Sequence, residues 1–212
     1  MDEHLSTTGE HRAATETQER ILVATRQVYA EGGFRGTTTR RIAQVAGVNE
    51  ITLFRQFGTK EALVKAALRQ TAIAGTVRLD QPVDPPAELY QWAITTFRSW
   101  FEGRHLIGKV LGDLSEHPEL APDICEEPGC QHAMLSAYLE RMREAGLAVN
   151  EFIPDSAAGM LLGSVFTHAV WREHFEDPSL PPAELVIQSY VQLLLAGVGY
   201  APAIAKRGKD KA

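Results

Sequence analysis

The stretch from Thr37 to Leu63, TTTRRIAQVAGVNEITLFRQFGTKEAL, constrains the fold more than any other part of the chain. Ile42, Ala43 and Ala46 recur at spacings of three and four, which predicts a short helix with one apolar face. Gly47 follows directly, at a position where a left-handed backbone ends a helix and glycine adopts that conformation at little cost. The pattern predicts a helix that stops sharply at this glycine.

A second short helix follows the turn. Asn49 is a favourable cap for it, and Leu53 and Phe57 form its apolar side, while Thr38 or Thr39 can cap the helix before the turn. Two helices joined by a short glycine-containing turn form a helix-turn-helix, whose second helix can lie in the major groove of DNA.

The outward side chains of this unit suit nucleic acid. Arg40 and Lys60 are placed to hold phosphates, and Arg55 and Gln56 to read base edges, because arginine pairs well with guanine and glutamine with adenine. Taken singly, each cation could also belong to an ordinary solvated face. The candidate DNA-binding residues are Thr38, Thr39, Arg40, Glu50, Ile51, Thr52, Phe54, Arg55, Gln56 and Lys60.

The same region resembles the DNA-binding domain of TetR-type transcriptional regulators, over about residues 17–68. The resemblance implies a palindrome-binding homodimer whose C-terminal helices surround a ligand cavity. Phe54 stands where such proteins usually have tyrosine, Gln56 stands where histidine is common, and Glu50 would repel phosphate or accept from a cytosine amino group. The resemblance rests on Thr37-Thr38-Thr39, Ile42-Ala43, Ala46-Gly47-Val48, Thr52-Leu53-Phe54-Arg55-Gln56-Phe57 and Thr59-Lys60-Glu61-Ala62-Leu63.

The charge distribution favours a basic DNA-binding unit on an acidic body. Residues 17–65 hold eight cationic and four anionic side chains, and since the whole chain carries −6, the remainder carries −10. Such an asymmetry orients a protein on DNA and keeps its acidic part away from the phosphates.

Before the helix-turn-helix, a first helix is predicted over about residues 17–31 and stops at Gly32-Gly33. After it, Thr59 is expected to cap a fourth helix that runs to about Arg78. The fifth, sixth and seventh helices are predicted over about 85–102, 106–115 and 130–144, with a loop over 119–129. Together with the absence of strand patterns, these helical patterns predict an all-α effector domain.

We expect a disordered tail over residues 1–16, the DNA-binding domain over 17–63, an effector-binding and dimerisation domain over 64–205, and a charged tail over 206–212. Aromatic and methionine side chains on the fifth, seventh and eighth predicted helices suggest an apolar pocket with a few polar groups, although they could also simply fill the core. The candidate ligand-binding residues are Trp92, Thr96, Phe97, Trp100, Phe101, Met134, Tyr138, Phe166, His168 and Trp171.

The eighth and ninth predicted helices, 155–175 and 182–196, are apolar over most of their circumference and are expected to form a homodimer interface, unless both are simply central in the core. Gly159 and Gly163, four residues apart, would allow another helix to approach closely. Candidate residues for the seam are Leu161, Val165, Leu185, Gln192 and Leu195.

Other chemistry is weakly supported. Cys125, Cys130 and His132, with His117 upstream, lack the usual zinc spacing, and no catalytic residues, metal site or cofactor are predicted. Asp113 and Glu116 are expected to be solvated carboxylates. The N-terminus lacks the apolar core of a signal peptide and no apolar run is long enough to span a bilayer, so a cytoplasmic protein is expected.

These observations predict a ligand-responsive dimeric repressor that binds double-stranded DNA at a palindromic operator and is released by a small, largely apolar effector. It would comprise an N-terminal three-helix helix-turn-helix domain and a C-terminal helical ligand-binding and dimerisation domain. The alternative is an all-α small-molecule carrier or enzyme whose helix-turn-helix unit no longer reads DNA.

Overall fold

The computed structural model describes residues 3–69, 77–172 and 181–202, and within them the side chains other than those of 3–14, 123–125 and 127. Across these residues the regular elements are helices, which confirms the all-α prediction. A short 3₁₀ helix spans Pro118–Leu120. The α-helices are α1 (Glu3–Gly36), α2 (Thr39–Ala46), α3 (Glu50–Phe57), α4 (Lys60–Arg69), α5 (Pro85–Asp113), α6 (Ala121–Glu144), α7 (Pro154–Trp171) and α8 (Ala183–Gly197).

The chain forms two compact units. Unit 1 comprises Met1–Ile73 and Gly103–Glu127, and unit 2 comprises Ala74–Glu102 and Pro128–Ala212. The division falls inside α5 and inside α6, at Gly103 and Pro128, the residue types with the lowest helix propensity.

Unit 1 has a helix-turn-helix core and a second cluster beside it. In the first cluster the helices α1, α2, α3 and α4 pack together, each through side chains such as Ile21, Ile42, Leu53 and Leu63 respectively. Burying each of these removes apolar surface from water and contributes about 1.5–3 kcal/mol. The second cluster comprises Tyr29, Phe34, Val64, Leu68, Leu106, Val110 and Leu120. Because α4 contributes to both clusters, the boundary set by packing lies after α4 and not at the predicted position between residues 63 and 64.

The first helix is longer than its sequence pattern predicts. Residues 3–16, expected to be a disordered tail, are helical and continuous with the packed part of α1. Extending an existing helix fixes one residue per added hydrogen bond, whereas starting one is costly, so polar residues without proline can continue it. The helix is interrupted at Gly33, close to the predicted stop at Gly32-Gly33, by a φ of 65° and a ψ of −169°.

Two further boundaries differ from the sequence prediction. The separate helices predicted at 85–102 and 106–115 form the single helix α5, and the loop predicted over 119–129 is largely helical, with Pro128 inside α6. Glycine costs only about 1 kcal/mol in a helix, and burial of Trp100, Leu106 and Val110 along α5 outweighs it. The predicted continuation of α4 through 70–76 and the charged tail at 206–212 lie outside the described residues.

Unit 2 is built from the first part of α5, most of α6, and α7 and α8. Its buried side chains include Leu161, Val165 and Leu195, at 1%, 0% and 7% exposure. These three were predicted at the dimer seam, but they are buried within unit 2, where α7 packs against α8. Leu185 and Gln192 are exposed. Within the described part of the chain, no helix is long and apolar enough to cross a membrane.

Candidate nucleic-acid interface

Side-chain caps define both helices of the helix-turn-helix. The Thr38 hydroxyl accepts from the Arg41 N–H at 3.3 Å, and the Asn49 amide oxygen accepts from the Ile51 N–H at 2.9 Å. Gly47 ends α2 in the left-handed conformation, with a φ of 65°. Thr59 accepts from the Ala62 N–H at 3.0 Å at the start of α4. The predicted caps at Asn49 and Thr59 and the turn at Gly47 are thus confirmed, and Thr38 rather than Thr39 caps α2.

One face of α3 is buried and the opposite face is open. Leu53 is 1% exposed and belongs to the core, whereas Ile51 and Phe54 are 74% and 49% exposed. Arg55 and Gln56 are exposed beside them, and Thr52 is half-buried. The open face therefore presents a guanidinium and an amide together with two apolar side chains. In a major groove the polar groups can hydrogen-bond to base edges, and the apolar side chains can contact thymine methyl groups.

Glu50 is tied to the preceding helix. The Thr39 hydroxyl donates a hydrogen bond to the Glu50 carboxylate, which links α2 to the first turn of α3. A carboxylate at a helix N-terminus is also stabilised by the helix dipole. This contact gives both residues a structural role, because it joins α2 to α3.

The cations of the unit fall into two groups. Arg41 forms an ion pair with Glu31, and Arg35 forms one with Glu116 at 2.9 Å. Arg40 and Arg55 are exposed and, among the described residues, neither forms an ion pair. An uncompensated guanidinium on each helix is what phosphate and base-edge contacts require.

Lys60 is held inside the unit. Its ammonium donates to the Phe34 carbonyl oxygen at 2.7 Å and lies 4.1 Å from the centroid of the Phe34 ring. Burial lowers the pKa of Lys60, and the negative charge of nearby Glu61 partly offsets this lowering. The predicted phosphate contact is therefore not its only role, because Lys60 joins the start of α4 to the end of α1.

Asp113, expected to be solvated, is engaged at the break in α1. The Tyr29 hydroxyl donates to its carboxylate at 2.8 Å, and the Phe34 N–H donates to the same oxygen at 2.7 Å. Burial and the Asp113 carboxylate raise the pKa of Tyr29. No local pattern marks this contact, since Tyr29 and Asp113 are 84 residues apart.

In unit 2, five of the ten candidate ligand-binding residues make ring contacts, in two separate sets. Phe97 stacks on Phe101 with centroids 5.6 Å apart, and the His168 ring lies 5.5 Å from Phe97. Trp100 meets Phe166 edge to face at 5.3 Å. The two sets both lie between α5 and α7, and together they are termed the aromatic cluster. Thr96, on the same stretch of α5, is 9% exposed.

His168 is the titratable group of this cluster. Its Nε2 atom lies 2.8 Å from an Arg172 guanidinium nitrogen, which can only donate, so Nε2 accepts. Burial and, secondarily, the Arg172 charge lower the pKa of His168. A neutral imidazole suits an uncharged or aromatic ligand better than an anion.

The remaining candidates lie apart from this cluster. The Trp92 indole donates to Gln131 at 2.9 Å, and the Tyr138 hydroxyl donates to the Glu88 carboxylate, so both polar groups are satisfied within unit 2. Met134 is half-buried, and Trp171 is 50% exposed. Cys130 is exposed and free, while the side chain of Cys125 lies outside the described residues.

Comparison with known proteins agrees with this geometry. Residues 21–67 match the family of bacterial regulatory proteins, tetR family. YvkB, an HTH-type transcriptional regulator of Bacillus subtilis (strain 168), is 26% identical over 184 residues, covering 86% of this chain and 97% of that protein. RutR, an HTH-type transcriptional regulator of Escherichia coli (strain K12), is 40% identical over 67 residues, covering 31% of this chain and 32% of RutR.

Solved structures share the fold over most of the chain. The flavonoid-responsive regulator FrrA superposes with a TM-score of 0.68 at 21% identity, covering 86% of this chain and 97% of FrrA. PfmR, a TetR family transcriptional regulator from Thermus thermophilus, superposes with a TM-score of 0.62 at 23% identity, covering 84% and 97% of the two chains. YvkB, RutR and PfmR are each described as transcriptional regulators, which agrees with the absence of a predicted catalytic site.

Proposed function

We propose that this chain, which belongs to the TetR family of transcriptional regulators, is a cytoplasmic homodimeric repressor that binds a palindromic operator and is released by a small, largely apolar effector. The observation that carries the proposal is the open face of α3, where Arg55 and Gln56 stand beside Ile51 and Phe54 on a capped helix-turn-helix.

On DNA, the proposed contacts divide by chemistry. Arg40 holds a phosphate and Thr38 supplies a hydroxyl next to it, while Arg55 and Gln56 hydrogen-bond to base edges and Thr52 supports them. The uncompensated charges of Arg40 and Arg55 support this division. Phe54 replaces a phenol hydroxyl with an apolar ring, so it contacts a thymine methyl or sugar and not a phosphate.

Dimerisation is proposed through the exposed faces of α7 and α8. On α7 an exposed stripe at helical spacing comprises Met160, at 56% exposure, Gly163, Thr167 and Trp171. On α8 the corresponding exposed side chains are Leu185, Ser189, Gln192 and Leu193. Large exposed apolar side chains beside small residues on adjacent helices suit a second copy of the same surface, and an isologous dimer reads a palindrome.

The effector is proposed to bind at the aromatic cluster of Phe97, Trp100, Phe101, Phe166 and His168, with Thr96 as a further polar group. Aromatic walls and a neutral imidazole favour an uncharged, aromatic or apolar molecule. The flavonoid response in the name of FrrA, whose fold is shared, supports this ligand class.

Release would follow from a change in helix tilt. Two recognition helices of a dimer must lie about 34 Å apart to enter successive major grooves. Because only Gly58 and Thr59 separate α3 from α4, a ligand-induced tilt of α4 would displace the recognition helix. A ligand need only favour the released form by about 1–3 kcal/mol, the usual range of such couplings.

The experiment that tests the function is operator selection followed by titration. The purified chain is incubated with a pool of duplexes carrying a randomised central region, and the recovered sequences are examined for a palindrome. We expect recovery of a palindrome, binding by a dimer in sedimentation, and affinity that falls steeply with salt. If no duplex is retained even at low salt, the chain does not act on DNA and the carrier function takes its place.

A further inference from the structure

The carboxylate of Asp113, the last residue of α5, lies against the break in α1 within unit 1. One of its oxygens accepts two hydrogen bonds, from the Tyr29 hydroxyl at 2.8 Å and from the Phe34 N–H at 2.7 Å. Tyr29 is fully buried. Hydrogen bonds to an ionised acceptor are shorter and about twice as strong as neutral ones.

The break at Gly33 is what lets the carboxylate approach. With φ at 65° and ψ at −169°, Gly33 occupies a region that is essentially reserved for glycine. A Cβ atom at this position would lie 3.0 Å from the nearer Asp113 oxygen. Both the backbone conformation and the missing side chain therefore fit the placement of Asp113.

From Phe34 the contacts continue to the far end of the helix-turn-helix. The Phe34 carbonyl accepts from the Lys60 ammonium at 2.7 Å, and Lys60 also lies over the Phe34 ring. His117 packs against this ring, with the two centroids 4.0 Å apart. Lys60 is the first residue of α4, three positions after Phe57, the last residue of α3.

The same break also sets the start of α2. The Gly33 carbonyl accepts from both the N–H and the hydroxyl of Thr37, at 3.1 and 2.7 Å. Thr37 is fully buried and directly precedes Thr38, the cap of α2. The segment around Gly33 and Phe34, which Asp113 contacts, is thus hydrogen-bonded to Thr37 just before α2 and to Lys60 just after α3.

We propose that Asp113 is a positioning residue for operator binding. It touches no DNA. Through Tyr29 and Phe34 it fixes residues 33–37 and Lys60, and so sets the placement of α2 and α3, which carry Arg40 and Arg55. The inference rests on the proposed DNA-binding function and adds to it a residue that lies about 50 positions beyond the helix-turn-helix.

The test compares variants that remove one buried hydroxyl from α1. Tyr29→Phe deletes the bond to Asp113, whereas Thr25→Val deletes a hydroxyl of the same helix that donates only to the Ile21 carbonyl, at 2.8 Å. Asp113→Ala removes the acceptor, and Asp113→Asn keeps one acceptor oxygen. Each full-length variant is titrated with the palindromic duplex selected by the wild-type chain, at a temperature where circular dichroism shows all of them folded.

We expect Tyr29→Phe and Asp113→Ala to bind the duplex about tenfold more weakly, as loss of one charge-assisted hydrogen bond would produce. The double variant should be no weaker than the weaker single variant, because both remove the same contact. Asp113→Asn should recover part of the affinity, and Thr25→Val should bind within about twofold of wild type. The salt slope of the weakened variants should also fall, since a misplaced Arg40 releases fewer counterions.

If the variants bound more weakly only because they are less stable, the salt dependence of their binding would match that of wild type. Thr25→Val would then lose as much affinity as Tyr29→Phe. Either of these two results overturns the inference. Should Asp113→Ala fail to fold, Tyr29→Phe and Asp113→Asn carry the comparison. If the wild-type chain binds the duplex and the variants bind it with the same affinity, only the role of Asp113 is refuted. If the wild-type chain binds no duplex at all, the proposed function and this inference are refuted together.

Discussion

At the scale of single residues, the open face of α3 carries two exposed apolar side chains, Ile51 and Phe54. Exposed apolar side chains on a recognition helix can read thymine through its 5-methyl group, which no other base presents in the major groove. The two side chains therefore predict a methyl-dependent component of sequence preference that polar Arg55 and Gln56 cannot supply.

Uracil substitution tests this component. Replacing thymine by uracil at one operator position should weaken wild-type binding about fourfold, the effect of losing one methyl contact worth about 0.8 kcal/mol. Ile51→Ala should bind the thymine and uracil duplexes equally. Val45→Ala, which shortens a 44% exposed side chain on α2, serves as the control and should still discriminate. If Ile51→Ala and wild type distinguished thymine from uracil equally well at every thymine position, Ile51 would not contact a thymine methyl group.

Gln56 gives a second prediction at this scale. Because a glutamine amide can bond to adenine through two atoms, Gln56→Ala should change the preferred base at one operator position and cost about 1–3 kcal/mol there. Repeating the duplex selection with the variant measures the change. Retention of the full wild-type preference would show that Gln56 does not contact a base.

Gly33 and Gly36 form a matched pair for the break in α1. A Cβ atom at Gly33 meets the Asp113 carboxylate in a conformation that other residues rarely adopt, whereas a Cβ atom at Gly36 meets no atom within 4 Å. Gly33→Ala should lower the free energy of unfolding by about 1–3 kcal/mol, and Gly36→Ala should leave it nearly unchanged or slightly raised. Urea unfolding followed by circular dichroism measures both, and equal midpoints would mean that the break tolerates an ordinary residue.

At the scale of elements, short helices such as α2 and α3 depend on their caps. Eight residues form too little helix to be stable alone, so the Asn49 cap and the packing of Leu53 together hold α3 in place. Fraying of α3 would move the side chains that are proposed to read bases, so the cap is expected to affect DNA binding as well as stability.

Asn49→Ala should therefore reduce stability by about 1 kcal/mol and weaken binding to all duplexes alike, because a frayed α3 loses contacts without changing their chemistry. Asn49→Ser keeps a capping oxygen and should retain both properties. Chemical unfolding and the selected duplex provide the two measurements. A changed base preference in Asn49→Ala would point instead to a direct contact between Asn49 and DNA.

At the scale of the whole molecule, the proposed binding to a palindrome depends on assembly into a dimer. The exposed positions Met160 and Leu193 lie on the proposed interface of α7 and α8. Replacing either by glutamate would bury an unpaired charge in each half of the dimer, which should raise the dissociation constant of the dimer at least about a hundredfold. Sedimentation equilibrium at micromolar concentration measures this change.

Val83→Glu, at an 85% exposed site before α5, is the control and should leave the dimer intact. Monomeric Met160→Glu and Leu193→Glu proteins should lose affinity for the palindrome while keeping weak binding to a half-site. Dimers that persist in both variants would place the interface elsewhere on the subunit.

Local sequence patterns determined the helix-turn-helix in detail. The turn at Gly47 and the caps at Asn49 and Thr59 depend on contacts within a few residues, so residue type and spacing suffice to predict them. The buried and open sides of α3 followed from periodicity, and the family followed from the order of these motifs. The same patterns showed that α7 and α8 are apolar, although they could not assign which apolar face the subunit itself covers.

Tertiary packing decided what those patterns left open. Leu161, Val165 and Leu195 looked equally suited to a dimer seam, but the competition for burial within the subunit places them in its core and leaves Met160 and Leu193 outside. Burial on both sides of Gly103 merges two predicted helices into α5. From the sequence Asp113 was expected to be a solvated carboxylate, but in the fold it accepts a hydrogen bond from Tyr29. The two residues are 84 positions apart, so their contact depends on how the helices pack and produces no periodic pattern in the sequence.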